Sequence, residues 1–209
     1  MKTEWRKTEK ALYLTKAKPE LVTVPAQQFI TVTGTGNPNE PVFAERVGAL
    51  YSVAYALKMG LKQDPTNEHP DFTVYPLEGL WSSTTKPTAN QPIDKSQLIY
   101  QIMIRQPEFV TAAMFQAAVA KTAVKKPNSY LKELKLETIT DGDVVQILHV
   151  GTYDTEATTF AILNEYLAAN HLQQRPLNGY IHREIYLSDP RRIAPEKQKT
   201  VLRIGVNPK

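Results

Sequence analysis

The sequence contains no cysteine, and this absence removes several kinds of chemistry at once. Disulfide bonds, thiolate metal sites and cysteine nucleophiles are all excluded. Histidine is also scarce, with four residues and no pair at the i, i+4 spacing of a helical metal site. We therefore expect neither a bound metal nor another cofactor.

Long apolar runs and a strong charge of one sign are missing as well. No segment is long enough to span a bilayer, and residues 1–6 lack the apolar region of a signal peptide, so we expect no membrane association and a cytoplasmic location. The formal net charge is only +4. No stripe of Lys and Arg with interleaved aromatic residues indicates a nucleic-acid groove, and we expect no direct nucleic-acid binding.

The remaining composition is that of an ordinary globular protein, with 42% hydrophobic and 22% charged residues in a chain of 209. Residues 1–27 form a charged lead-in segment in our prediction. Residues 28–209 form a single domain, which is long enough to bury a sizeable core.

Within this domain, the order strand–helix–strand–strand is predicted twice. The first copy has its elements at residues 28–35, 40–59, 72–83 and 97–105, and the second at 144–150, 154–169, 180–188 and 200–206. Both copies have Gly-Thr just before the helix and one Glu in the strand after it, at a nearly constant offset. Fixed-period similarity of this kind indicates an internal duplication, with pseudo-repeats at residues 28–106 and 134–207.

The duplication predicts an α+β fold with antiparallel sheets, helices on one side and a central pocket between the halves. Three local features complete the prediction. Asp141-Gly142, between two strand-like segments, favours a hairpin turn. A helix is expected from about residue 108 to residue 125, with Phe109 and Val124 among its buried residues, and a loop from residue 84 to residue 94.

The most informative stretch is Tyr180–Arg192, which begins with the alternation of a strand. One side carries three polar groups, His182, Glu184 and Tyr186. The other side carries Ile181, Ile185 and Leu187, with Arg183 as a polar exception. The Ile/Leu side is predicted to pack on a helix, which leaves the carboxylate open to a ligand between an imidazole and a phenol.

A solvated strand face is the alternative interpretation of this stretch. The duplication favours a functional site instead. It is expected to bring Glu78 of the first copy and Glu184 of the second into one cavity near a pseudo-twofold axis, and clefts of this kind commonly bind small molecules.

Two segments of the second copy resemble the GyrI-like (DNA-gyrase-inhibitor-like) small-molecule-binding family. They are His149-Val150-Gly151-Thr152-Tyr153 and the stretch from His182 to Arg191. Two further segments, Pro76–Trp81 and Ala194–Lys197, resemble a stand-alone branch of that family. The resemblance covers nearly the whole chain from about Phe29.

The resemblance implies a central pocket that takes aromatic or cationic compounds. It also implies that a buried Glu at the position of Glu184 faces the ligand, with aromatic residues around it. Some stand-alone relatives hydrolyse the cyclopropane ring of DNA-alkylating natural products. The partner expected for this chain is accordingly an aromatic small molecule.

Candidate site residues follow from the pattern and the resemblance together. The candidate catalytic residues are Glu184, Tyr153 and Glu78, because a Glu in an apolar cavity can act as general base and a hydroxyl can donate to a developing oxyanion. The candidate ligand-binding residues offer flat aromatic surfaces or polar contacts: Trp81, Tyr186, His182, Tyr51, Tyr55 and Tyr75. Trp81 faces the pocket if the strand bulges at Gly79, and the core otherwise.

Three functions stay open at this point. The chain is a hydrolase that opens a cyclopropanoid ring, a non-catalytic binding module that sequesters a ligand or acts as a transcription effector, or a gyrase-interacting protein. The positive net charge counts against the third, because an acidic surface that mimics nucleic acid would be needed.

Overall fold

A computed structural model describes residues 3–85 and 94–209 of the chain. Most of the loop predicted from residue 84 to residue 94 lies outside these described residues. The chain divides into two compact units. The first has the bounds Met1–Glu4, Gln27–Tyr75 and Trp81–Ile139, and the second has Trp5–Ala26, Pro76–Leu80 and Thr140–Lys209.

Helices and strands alternate along the chain much as the sequence predicts. The described helices are α1 (Trp5–Thr8), α2 (Lys10–Tyr13), α3 (Pro41–Gln63), α4 (Ala112–Lys125) and α5 (Glu156–Ala169). The described strands are β1 (Glu20–Thr35), β2 (Leu77–Ser83), β3 (Leu98–Gln106), β4 (Lys135–Val150), β5 (Leu172–Arg175), β6 (His182–Tyr186) and β7 (Lys199–Pro208). None of the described helices has both the length and the apolar character needed to cross a bilayer.

The predicted strand–helix–strand–strand order is present twice. The first copy is β1–α3–β2–β3, and the second is β4–α5–β6–β7 with the short strand β5 added after its helix. The α+β class and the antiparallel pairing are therefore confirmed.

In the first unit, β3 lies between β1 and β2. The β1–β3 pairing is antiparallel and runs from Gln28 opposite Gln106 to Thr35 opposite Ile99. Helix α3 packs against β3 and α4. Burial of β-branched and aromatic residues from the strands, such as Phe29 and Ile104, accounts for this part of the core.

In the second unit, β7 is the central strand, and it pairs antiparallel with β4, β5 and β6. Helix α5 packs on one face of these strands. The apolar cluster beneath it consists of Val145, Ile147, Leu163, Leu167, Leu202, Ile204 and Val206. Leu202, Ile204 and Val206 are two residues apart along β7, as the alternation of a strand requires.

The predicted hairpin at Asp141-Gly142 is wrong. Strand β4 runs without interruption from Lys135 to Val150, and its pairing with β7 begins at Val144. Gly142 has a φ of +64°, as at a β-bulge, so the chain absorbs the turn-like dipeptide inside the strand. The side chain of Asp141 is buried and binds arginine, which keeps the dipeptide within the unit.

The helix predicted from residue 108 begins later, at Ala112. The side chain of Thr111 caps it by accepting a hydrogen bond from the amide of Met114 at 3.2 Å, and this cap fixes the first turn. Val124, predicted as buried, is 84% exposed. Phe115, Ala118 and Thr122 form the buried face instead, and Val124 lies on the opposite side of the last turn from Thr122.

Candidate functional site

The two sides of β6 have different surroundings. Helix α5 lies on the side opposite to the one predicted. In the β6–β7 register, Glu184 is opposite Leu202, and Leu202 belongs to the apolar cluster under α5. Opposite residues of an antiparallel pair share a face of the sheet. His182, Glu184 and Tyr186 therefore lie on the α5 side, and the predicted packing of that helix on the Ile185 side is wrong.

The start of α5 is tied to the end of β4 by His149. Its Nδ1 is hydrogen-bonded with the hydroxyl of Thr159 at 2.8 Å, and its Nε2 contacts the carbonyl of Thr152 at 3.0 Å. Gly151, between the two elements, has a φ of +139°, and a Cβ there would lie 2.8 Å from the hydroxyl of Thr155. Only glycine suits this position, and the connection fixes the residues that follow it.

Glu184 is held by two neighbours on its own strand. The Nε2 of His182 lies 2.9 Å from Oε1, and the hydroxyl of Tyr186 donates to Oε2 at 2.8 Å. The carboxyl group is mostly buried, with 8% of the residue exposed. Phe160 of α5 packs edge-on against the ring of His182 at 4.9 Å between centroids. These contacts hold the carboxylate in one orientation.

Tyr153 adds a further aromatic ring to this group of residues. Its ring meets that of Tyr186 in an edge-to-face arrangement, with 5.7 Å between centroids. Burial raises the pKa of the Tyr153 hydroxyl to about 12, and the negative charge of Glu184 contributes. Burial also raises the pKa of Tyr186 well above its usual value, with Glu184 again the main charge that contributes. Both phenols therefore keep their protons at neutral pH, and Tyr186 donates its proton in the hydrogen bond to Glu184.

Glu156, the first residue of α5, belongs to the same cluster and was missed in the sequence. It is 7% exposed. Burial raises its pKa to about 9, and the charges of Glu184 and Asp154 contribute. An acidic residue at the start of a helix usually interacts with the helix dipole at the protein surface. The sequence alone therefore does not distinguish Glu156 from a surface residue. We name Tyr153, Glu156, His182, Glu184 and Tyr186 the Glu184 cluster.

Glu78 lies in a different environment, on the Arg183 side of β6. Its Oε2 accepts a hydrogen bond from Arg183 at 3.2 Å, and its Oε1 accepts one from the hydroxyl of Tyr13 at 3.1 Å. Arg183 also contacts Asp141 at 3.0 Å. Complete burial raises the pKa of Glu78, and Arg183 opposes this effect.

Arg203, opposite Arg183 in the register, extends the same group of buried charges. It contacts Asp141 at 3.5 Å and the side-chain oxygen of Gln146 at 2.9 Å. We name Glu78, Asp141, Arg183 and Arg203 the buried charge network. Because Arg183 and Glu184 are consecutive in β6, their side chains leave the strand on opposite sides. The prediction that Glu78 and Glu184 open into one cavity is therefore wrong.

Comparison with known proteins decides the family. The sequence pattern that defines the GyrI-like small molecule binding domain matches residues 17–206. This chain belongs to the GyrI-like family. The match includes the segments on which the resemblance was based, from His149 to Tyr153 and from His182 to Arg191.

Solved structures from Listeria innocua are similar to this GyrI-like chain over nearly its full length. One is an uncharacterized conserved protein, with 35% identity, a TM-score of 0.90 and coverage of 98% of this chain and 100% of that one. A second, called a hydrolase, has 33% identity, a TM-score of 0.87 and coverage of 98% and 100%. The C-terminal domain of EcmrR shares only the fold, with 10% identity, a TM-score of 0.55 and coverage of 92% and 98%. A search of curated proteins finds no match.

The other residues predicted for the GyrI-like site belong to the first unit. Trp81 is 6% exposed, with its ring stacked on Phe43 at 5.9 Å and near Tyr100 at 5.3 Å. Tyr75 is buried under the guanidinium of Arg105. Tyr51 and Tyr55 lie one turn apart on α3, with 6.3 Å between ring centroids. The ligand-binding role of Trp81, Tyr75, Tyr51 and Tyr55 stays a prediction.

Across residues 3–85 and 94–209, no group of three or more His, Asp or Glu side chains is arranged to hold a metal ion.

The raised pKa of Glu156 makes the stability of this GyrI-like fold depend on pH. Between the usual pKa near 4.5 and the folded value of about 9, the folded chain holds one more proton than the unfolded chain, so unfolding becomes easier as pH rises. We expect Glu156→Gln to match the wild type near pH 5. Above that pH we expect the free energy of unfolding of Glu156→Gln to rise relative to that of the wild type by up to about 1.4 kcal/mol per pH unit.

Urea unfolding at several pH values measures this difference. Glu165→Gln is the matched control, because Glu165 is exposed on the same helix and loses the same charge. A Glu156→Gln curve parallel to the wild-type curve from pH 5 to pH 8 would show that Glu156 is ionised in the folded chain.

Proposed function

We propose that this chain binds a hydrophobic aromatic compound that carries positive charge, with the Glu184 cluster as the recognition site. The observation that carries this proposal is a mostly buried carboxylate fixed between aromatic residues. Glu184 is 8% exposed, and both of its carboxyl oxygens are hydrogen-bonded, one with Tyr186 and one with His182, whose ring packs on Phe160. A buried charge of this kind gains most from a ligand of opposite charge.

The aromatic residues supply the rest of the affinity. Tyr153 is 41% exposed, so its ring is the part of the cluster that a ligand reaches from solvent. Aromatic faces attract cations through the ring quadrupole, and flat rings bury apolar ligand surface at small entropic cost. An aromatic organic cation meets both conditions.

We further propose that the site hydrolyses a strained ring in such a ligand, as the resemblance to cyclopropanoid hydrolases suggested. The hydrolase name of the Listeria innocua proteins at 33–35% identity supports this step. Glu184 takes a proton from water, and the water oxygen attacks a cyclopropane carbon. The ring carbon–carbon bond breaks, and its electron pair moves through the conjugated system to a carbonyl oxygen.

Tyr153 suits the position next to that oxygen. Its pKa of about 12 keeps the phenol protonated at neutral pH, so it can donate a hydrogen bond to the developing negative charge. The proton taken by Glu184 then passes to the product through solvent. No atom or electron is left unbalanced, because water supplies both the hydroxyl and the proton.

One observation favours the second candidate, a binding module without turnover. Both oxygens of Glu184 already accept hydrogen bonds, from His182 and from Tyr186. Hydrogen bonds that stabilise the charged carboxylate weaken it as a base while they improve it as a fixed negative charge. No contact of the described residues favours a gyrase partner, and that alternative stays untested.

Two assays test the proposal. Tetraphenylphosphonium and tetraphenylborate have similar shape and opposite charge, so calorimetry with both isolates the effect of ligand charge. We expect binding of the cation only. Equal affinity for the two ions would contradict charge recognition. Incubation with a cyclopropanoid alkylating agent, followed by mass spectrometry for the ring-opened product, separates the hydrolase from the binding module.

A further inference from the structure

Glu156 has an unusual position for a carboxyl group. It begins α5, it is 7% exposed, and its Oε1 is buried without a hydrogen-bond partner among the described residues. An unsatisfied buried oxygen costs free energy, so a fold retains one only if something offsets it or if it does work.

The charged and titratable groups around Glu156 come from every element near the start of α5. Strand β6 supplies Glu184, Tyr186 and His182. The turn before the helix supplies Asp154 and Tyr153, β4 supplies His149, and Asp189 follows β6. The charges of Glu184 and Asp154 both disfavour a second negative charge on Glu156.

A bound ligand cation would make a negative charge on Glu156 more favourable. Placed against Glu184, it would also lie near Glu156, because Phe160, one turn after Glu156 in α5, packs against the ring of His182, which contacts Oε1 of Glu184. Its positive charge would then offset the repulsion between the two carboxylates.

From the buried Oε1 of Glu156, which has no hydrogen-bond partner among the described residues, and from the packing of α5 against His182 beside Glu184, we infer that Glu156 is a second carboxyl group that binds the ligand cation. Because burial raises the pKa of Glu156 to about 9, this carboxyl group gives up its proton when the cation binds. This inference rests on the proposed function and specifies its ligand class as a permanent organic cation. Binding then releases one proton to solvent, which balances the charge that the ligand brings. A neutral aromatic compound would release none.

The proton released on binding makes affinity depend on pH. Below the pKa of about 9 for Glu156, each rise of one pH unit should strengthen cation binding up to about tenfold. His182 is a second ionisable side chain near the proposed position of the cation, because it contacts Glu184. The test must therefore separate these two residues.

The experiment is calorimetry of tetraphenylphosphonium at about pH 7.5 in phosphate and in Tris, which differ in ionisation enthalpy. The difference between the observed enthalpies gives the number of protons released. We expect about one for the wild type and for His182→Gln, and about none for Glu156→Gln, which should still bind because Glu184 is unchanged.

The outcomes distinguish this inference from the function on which it rests. Binding by the wild type without proton release, or release that persists in Glu156→Gln, overturns the role of Glu156 and leaves charge recognition by Glu184 intact. Absence of any binding by the wild type overturns both. Proton release that disappears in His182→Gln but persists in Glu156→Gln assigns the proton to the imidazole and also rejects the inference.

Discussion

Replacement of Glu184 by glutamine should lower any ring-opening activity by about 100-fold or more, because the amide cannot take a proton from water. The same variant should bind tetraphenylphosphonium at least about tenfold more weakly, because the site loses its fixed negative charge. The amide keeps the size of the carboxylate and can still accept from Tyr186, so the fold should be retained. Product formation and calorimetric affinity measure the two effects separately.

Two variants serve as controls for this result. Glu165→Gln makes the same chemical change at an exposed position of α5 and should leave both measurements unchanged. Glu78→Gln changes a carboxylate on the opposite side of β6 and should affect binding less than Glu184→Gln. If Glu184→Gln retains full activity and affinity, the Glu184 cluster is not the site.

The second large effect concerns stability. Arg183→Met should destabilise the chain by about 3–5 kcal/mol, because Glu78 and Asp141 would lose a guanidinium partner at positions that are 1% and 2% exposed. Methionine fills much of the space of the arginine stem, so the loss comes mainly from the unpaired carboxylates. Urea unfolding gives the change directly.

An exposed ion pair of the same unit provides the comparison. The side chain of Arg191 is 86% exposed and contacts Asp189 at 2.9 Å, so Arg191→Met should cost no more than about 1 kcal/mol. Adding Glu78→Gln to Arg183→Met should recover part of the lost stability, because one orphaned charge is removed. Equal effects of Arg183→Met and Arg191→Met would show that the buried charge network stabilises the chain no more than an exposed ion pair does.

Strong local patterns predicted the elements well. The apolar periodicity of α5 and the alternation in β6 place both elements within a few residues of their observed bounds. The hairpin predicted at Asp141-Gly142 is wrong because a dipeptide typical of turns can also form a bulge inside a long strand. The choice depends on neighbours distant in sequence, such as Arg183 and Arg203, whose side chains bind Asp141.

The face assignment of β6 failed for the same physical reason. Arg183 looked like an exception on an apolar side, since a lone arginine is rarely buried. Its burial depends on Glu78 and Asp141, which lie far away in sequence, and alternation within one strand carries no information about them. Glu156 was missed because its burial results from the packing of α5 on β6, which its own neighbours in sequence do not reveal.

The opposite orientation of Arg183 and Glu184 has a consequence for protein engineering. The charged side chains on the Arg183 side pair with one another, whereas Glu184 on the other side is the residue proposed to bind a ligand. If that proposal holds, alternate positions of one five-residue strand serve ligand recognition and fold stability separately. Libraries that vary only positions 182, 184 and 186 could search for new ligands while the scaffold tolerates the changes.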